Sequence, residues 1–183
     1  LSGAIIYISI HFVLGVVLQK LAGSPYDKSF MGFFMNLLDS LKENNSVVLQ
    51  QEANNWEEAI NVCMKPLLEN NSIEEKYIEN IIKRTKELGP FYILAPGLAM
   101  PHERPEMGVN KNSFSLVTLK NPVLFPDGQE VDILIGLAAE NDEVHAGEAI
   151  PQIVMLFDDE DVFSKIREAR EPQDIYKLIE EKA

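Results

Sequence analysis

The histidines are the side chains of this sequence best suited to chemistry at neutral pH. The chain has three of them: His11, His102 and His145. His102 lies in the segment LAPGLAMPHERPE, residues 94–106, where Pro101 and Pro105 restrict the backbone on either side. An imidazole with a pKa of about 6.5 is mostly uncharged at neutral pH and can act as a nucleophile. The segment therefore predicts a stiff loop that holds one histidine in a single geometry.

His145 lies in a second segment of similar character, AENDEVHAGEAIPQI. This segment follows the strand-like run VDILIGLAA and opens a helical pattern, for which Asn141 or Asp142 is the expected N-cap. Two loops that leave neighbouring strands would bring His102 and His145 together. The start of a helix beside them would favour an anion through its free amides and its dipole.

Other kinds of site have weaker support in the sequence. The single cysteine, Cys63, leaves no disulfide framework and no CxxC motif, and its helical context predicts a small buried side chain. A metal-dependent hydrolase would need His102 and His145 together with a carboxylate such as Asp142 or Glu103, but no HExxH or comparable ligand cluster is present. The formal net charge of −13 argues against binding to nucleic acid or to an anionic membrane.

The elements that must position the histidines follow a regular order. Helical patterns come first, strand-like runs occupy the middle, and helical patterns return at the end. The helical patterns cover residues 36–44, 55–70, 72–88, 145–157, 161–169 and 172–182, and the strand-like runs are FYILA, SFSLVTLK and VDILIGLAA, with the short apolar run SVVLQ before them. This order predicts an α/β domain in which helices pack on a central sheet.

Residues 1–35 differ in composition from the rest and are expected to form an apolar N-terminal segment and linker, with the principal domain at 36–183. Fifteen helical residues from Ala4 to Leu18 would span roughly 22 Å, against roughly 30 Å of hydrocarbon, although residues 1–22 would just reach. Three interpretations stay open for this segment: the end of a membrane helix, an apolar helix packed on the domain or on another subunit, and an artefact of cloning or of gene assignment. His11 is expected to be a passenger in this segment.

The segments GPFYILAPGLAMPHERPE, SFSLVTLKNPVLF and VDILIGLAA, with a later histidine before PQIVMLFDDED, resemble a known family. They are similar to the EIIA domain of the bacterial phosphoenolpyruvate-dependent sugar phosphotransferase system (PTS), of the mannitol/fructose type and nearest to its ascorbate-specific branch. The resemblance covers residues 36–183 and is most specific in PGLAMPH. It implies the mannitol-type EIIA fold, with a central mixed sheet of about four to five strands sandwiched by helices.

The resemblance also implies the roles of several residues. His102 would accept a phosphoryl group, through Nε2, from the carrier protein HPr and pass it to a cysteine of EIIB, while His145 would hydrogen-bond the phosphoryl oxygens. Arg104 is a candidate to bind these oxygens, with a salt bridge to Glu103 or Glu106 as the alternative. Mannitol-type relatives use an arginine further upstream, in a region where this chain offers Arg84 and Lys86. For Glu103 two interpretations are open: its carboxylate raises the basicity of the histidine, or it faces solvent.

No cofactor or metal is implied by the resemblance, and the membrane component EIIC would be an indirect partner. A cytoplasmic location is expected, with membrane association through residues 1–22 or through the EIIB and EIIC components as a further option. The alternative function is an EIIA-like regulatory module controlled by histidine phosphorylation. The resemblance implies ascorbate as the sugar taken up, an assignment that rests on resemblance alone, and a homodimer stays open.

Overall fold

The protein is represented by a computed structural model that describes residues 35–142 and 144–182. The predictions for residues 1–34, including those for His11 and for a membrane piece, lie outside the described residues. Met35 is buried, and its backbone N–H donates to Glu148 Oε2 at 2.8 Å while its carbonyl accepts from Gln152 Nε2 at 2.6 Å. Within the described ranges, no helix is both long and apolar enough to cross a membrane.

Six α-helices occur in the described part of the chain: α1 (Leu37–Glu43), α2 (Trp56–Glu69), α3 (Glu75–Leu88), α4 (Ile150–Leu156), α5 (Glu160–Glu168) and α6 (Pro172–Lys182). Asparagines cap the first two: Asn36 accepts from Asp39 N at 3.0 Å and Asn55 accepts from Glu58 N at 2.9 Å. A short 3-10 helix covers Pro105–Met107, and a π-helical turn, Val144–Ala149, leads directly into α4. Each predicted helical pattern is thus present, with ends displaced by a few residues.

Five strands form one sheet within the described residues: β1 (Val47–Gln51), β2 (Ile93–Ala95), β3 (Gly97–Ala99), β4 (Ser113–Leu124) and β5 (Glu130–Ala138), in the order β1-β4-β5-β3-β2. β1 pairs with β4, and β3 with β5, in parallel, whereas the β4–β5 and β2–β3 pairs are antiparallel. The sheet is therefore mixed, as predicted, with the strands that precede the two histidine segments lying side by side.

Helices cover both faces of this sheet. Side chains of β5 alternate between the layers, so that Ile133 and Ile135 join one apolar cluster with α1, α4, α5 and α6, while Leu134 joins the other with α2 and α3. Cys63 is fully buried in the second cluster, as expected, and burial raises the pKa of its thiol to about 12. The predicted α/β sandwich is confirmed.

The stretch before His102 differs from its prediction. It was expected to be loop from Pro96 onward, but Gly97–Ala99 form strand β3, which pairs with β2 on one side and β5 on the other. Gly97 has a φ of +85°, which lets the chain reverse across the single residue Pro96. His102 therefore lies three residues after a strand, and not seven.

Candidate functional site

Hydrogen bonds to neighbouring strands, in addition to the prolines, fix the backbone before His102. Met100 N–H donates to Tyr92 O at 2.9 Å, and Pro101 O accepts from Leu137 N–H of β5 at 3.1 Å. Met100 itself is buried at 1% exposure. These bonds continue the pairing of β3 past its last residue and deliver His102 to the end of β5.

The His102 ring has one nitrogen engaged and one available. Its Nδ1–H donates to Met100 O at 2.8 Å, which fixes the tautomer that carries the proton on Nδ1 and leaves the Nε2 lone pair free. The ring is half-buried, and the edge of Phe91 packs against it with centroids 5.5 Å apart. Burial lowers the pKa of His102 to about 4, and the Met100 hydrogen bond opposes this only in part. His102 is therefore neutral at physiological pH.

His145 lies against His102, as the sequence predicted. The ring centroids are 4.5 Å apart, and the planes make an angle of 41°. The turn that carries His145 is capped by Asn141, whose Oδ1 accepts from Val144 N at 2.9 Å. Burial lowers the pKa of His145, with the Asp142 carboxylate acting in the opposite direction. Its Nε2 is buried and has no hydrogen-bond partner among the described residues, so the site contains a polar atom available to a ligand.

Arg84 of α3 is a cation that lies near the two histidines. Its Nη1 donates to Glu103 Oε1 at 2.5 Å, and its guanidinium lies 5.0 Å from the Phe91 ring centroid. Lys86, the other upstream candidate, instead forms an ion pair with Glu57 at 2.6 Å. Of the two upstream candidates, Arg84 is therefore the one that lies near the histidines.

Two of the alternatives considered from the sequence, a solvent-facing Glu103 and a salt bridge of the Arg104 side chain, are not found among the described residues. Glu103 does not face solvent, because its side chain is 0% exposed. Arg104 is exposed and reaches Glu103 through its backbone N–H, at 2.8 Å from Oε1. In the described part of the chain no carboxylate forms an ion pair with the Arg104 guanidinium, so neither predicted salt bridge is found there.

Tyr77 is a member of the site that sequence reasoning missed. Its hydroxyl oxygen accepts from Glu103 N–H at 2.8 Å and lies 2.9 Å from the carbonyl oxygens of Glu103 and Leu137. One buried hydroxyl thereby ties the histidine loop to β5. Tyr77 lies within the predicted helical pattern 72–88, where a tyrosine at helical spacing indicates a core position and its hydroxyl gives no separate signal.

These groups line one open cavity of about 220 Å³. Its wall includes both histidines, both arginines, Glu103 and Asp142. No group of three or more metal-ligating side chains occurs within residues 35–142 and 144–182, so the hydrolase interpretation gains no ligand set. The arrangement combines a neutral nucleophilic nitrogen with cationic and hydrogen-bonding groups, which is suited to the transfer of an anionic group.

Comparison with known proteins points the same way. Residues 40–182 match the family model "Phosphoenolpyruvate-dependent sugar phosphotransferase system, EIIA 2". A curated relative from Salmonella choleraesuis, named the ascorbate-specific PTS system EIIA component, is 47% identical over 148 residues, which cover 80% of this chain and 96% of the relative.

Solved structures share the fold. The mannitol-specific cryptic phosphotransferase enzyme IIA CmtB from Escherichia coli superposes with a TM-score of 0.72 at 38% identity, covering 80% of this chain and 99% of that one. Enzyme IIAMTL from Escherichia coli, solved in complex with phosphorylated enzyme IIBMTL, gives a TM-score of 0.65 at 24% identity over 74% of this chain and 94% of that one.

Proposed function

Since this chain belongs to the EIIA 2 family of the phosphoenolpyruvate-dependent sugar phosphotransferase system, we propose that His102 carries the phosphoryl group, through Nε2. The chain is an EIIA component of such a system. The observation that carries the assignment to His102 is the hydrogen bond from Nδ1–H to Met100 O, since it leaves Nε2 as the free nucleophilic atom. The depressed pKa of His102 supports this, because the lone pair stays unprotonated at neutral pH.

The proposed transfer exchanges one N–P bond for another. Nε2 of His102 attacks the phosphorus of a phosphohistidine on the donor protein, and the donor's N–P bond breaks as its electron pair returns to the donor ring. The His102 ring, which now bears substituents on both nitrogens, is positively charged, and its Nδ1–H remains bonded to the Met100 carbonyl. Onward transfer to an acceptor thiolate reverses these changes and regenerates the neutral ring.

Two groups are positioned to stabilise the phosphoryl oxygens. Nε2 of His145 is buried, lacks a partner among the described residues and belongs to a ring in contact with His102, so a proton on this nitrogen would be donated to a phosphoryl oxygen. Arg84 lines the same cavity and supplies a fixed positive charge. Arg104, which is exposed at the rim, is the third candidate.

Both partners are proteins in this proposal. HPr is the proposed donor, and the cysteine of EIIB is the proposed acceptor, consistent with a structural neighbour solved in complex with phosphorylated IIB. Ascorbate is the proposed sugar because the curated relative carries that specificity in its name. A cytoplasmic location follows from a reaction with these partners, with EIIC in the membrane as an indirect partner.

Phosphorylation by purified components tests the proposal. The full chain is incubated with phosphoenolpyruvate, enzyme I and HPr, and its intact mass is measured before and after acid treatment. We expect one acid-labile phosphate that is absent from His102→Ala and present in a matched Asn110→Ala variant on the exposed surface. An unmodified wild-type chain, or a His102→Ala variant that is still phosphorylated, would contradict the proposal. Subsequent addition of EIIB of the ascorbate or mannitol type tests the acceptor and the sugar branch.

A further inference from the structure

The Glu103 carboxylate, one residue from the proposed nucleophile, is fully buried and only one of its two oxygens is hydrogen-bonded. Its side chain is 0% exposed, and Oε1 accepts both from Arg84 Nη1 at 2.5 Å and from Arg104 N–H at 2.8 Å. Oε2 is buried and has no hydrogen-bond partner among the described residues. Burying a carboxylate with one unsatisfied oxygen costs free energy, so we expect Glu103 to have a functional role in addition to shaping the loop.

The same contact limits what Arg84 can offer a phosphoryl group. Arg84 is 31% exposed and lines the cavity that holds both histidines, stacked near Phe91, which itself contacts His102. The pairing with Glu103 offsets its positive charge with a fixed negative charge one residue from the nucleophile. An incoming phosphoryl group, with about two negative charges near neutral pH, therefore meets a site that is less cationic than its arginine alone would make it.

We propose that Glu103 tunes the carrier by lowering the stability of phosphorylated His102, so that the phosphoryl group is passed on readily. This inference rests on the proposed function of His102. A carrier in the middle of a relay must accept and release the same group, and one that bound it too strongly would be charged easily and discharged slowly. Glu103 acts by direct repulsion of the phosphoryl oxygens and by partial neutralisation of Arg84. Glu103 also attracts the single positive charge that the His102 ring gains on phosphorylation, but the phosphoryl group brings about two negative charges, so repulsion is the larger effect.

The backbone contacts of Glu103 make a clean test practical. Its N–H donates to Tyr77 Oη at 2.8 Å, so the residue is held in place independently of its side-chain charge. A glutamine has the same shape, and its amide oxygen can still accept from Arg84 and from Arg104 N–H. Glu103→Gln therefore removes the charge while it keeps the position of the loop.

The experiment measures the equilibrium distribution of the phosphoryl group between HPr and the full chain, by intact mass after incubation with limiting phosphoenolpyruvate and enzyme I. For Glu103→Gln we expect a shift of roughly 10- to 100-fold toward the phosphorylated chain, and a slower discharge to EIIB. Arg84→Gln should shift the distribution the other way. Glu106→Gln is the matched control, since it removes the same charge from an exposed position three residues away and should change the distribution by less than about twofold.

General damage to the loop would weaken the phosphorylated form, so a gain in its stability separates tuning from a structural role. An unchanged or lower equilibrium in Glu103→Gln, with the wild type phosphorylated on His102, would overturn the inference alone. A wild-type chain that takes no phosphate would overturn the proposed function and this inference with it. If Glu103→Gln does not fold, the Arg84→Gln result decides, because an unchanged or raised equilibrium there would equally contradict the charge argument.

Discussion

The depressed pKa of His102 should make the free energy of unfolding depend on pH. A substitution that removes the imidazole should remove this part of the pH dependence. In the folded chain the pKa is lowered to about 4 by burial, whereas an unfolded chain has a histidine pKa of about 6.5. Between these values the unfolded state binds more protons than the folded state. The free energy of unfolding therefore decreases as the pH falls through this window, and the contribution is negligible above it.

The size of the effect follows from the two pKa values. At about pH 7.5 both states carry a neutral imidazole, and His102 contributes almost nothing to the pH dependence. At about pH 5 the unfolded imidazole is almost fully protonated while the folded one is still mostly neutral, which lowers the free energy of unfolding by about 2 kcal/mol. Over the same interval His102→Gln should lose about 2 kcal/mol less than the wild type.

Urea unfolding of both proteins at these two pH values measures how much the free energy of unfolding of each protein changes with pH. The carboxylates contribute equally to both proteins, so their contribution cancels when the two changes are subtracted. An NMR titration of the His102 ring provides an independent measurement of the same pKa. Equal losses of stability in the two proteins, together with a ring that titrates near its ordinary value, would refute the argument that burial keeps His102 neutral.

Other substitutions test the remaining parts of the site. His145→Gln should fold normally but transfer the phosphoryl group to EIIB roughly 100-fold more slowly in rapid-quench assays, and unchanged rates would remove His145 from the site. Tyr77→Phe should lower the free energy of unfolding by roughly 1–3 kcal/mol in urea titrations, because the backbone of the histidine loop loses its buried partner, and a neutral effect would contradict that role. Gly97→Ala should be destabilised by more than Gly128→Ala in the same titration: both residues have a positive φ, of +85° and +86°, but only at Gly97 would a Cβ meet Arg167 Nη2, at 2.5 Å. Equal losses at the two glycines would show that the close contact relaxes freely.

The sequence predicted the fold class and the pairing of the two histidines well, because the signals involved are local. Periodic apolar residues marked each helix, and the strand-like runs FYILA and VDILIGLAA precede the two histidine segments, so the loops after these runs were expected to meet. In the structure the strand that leads to His102 and pairs with β5 is β3, which follows FYILA. Strand β3 was missed since its three residues, Gly97–Ala99, are too few to show an alternating pattern, and its pairing with β5 is a tertiary contact.

The chemistry around His102 needed the three-dimensional structure. Arg84 is 18 residues before His102 in the sequence, and only the packing of α3 on the sheet brings it to the cavity and turns it toward Glu103. The burial of Glu103 was equally invisible, because a glutamate in a polar, proline-rich segment is ordinarily exposed. Pairwise contacts between distant elements, and not local patterns, decide which charged groups lie near His102.

The position of the phosphate on the chain is the most direct test of the central claim. The protein, labelled with ¹⁵N in its histidine rings, is phosphorylated by phosphoenolpyruvate, enzyme I and HPr, and ³¹P–¹⁵N couplings are read by NMR. The structure predicts a coupling to Nε2 of His102, with Nδ1 still protonated and bonded to the Met100 carbonyl. A phosphate on Nδ1 of His102, or on His145, would contradict the account.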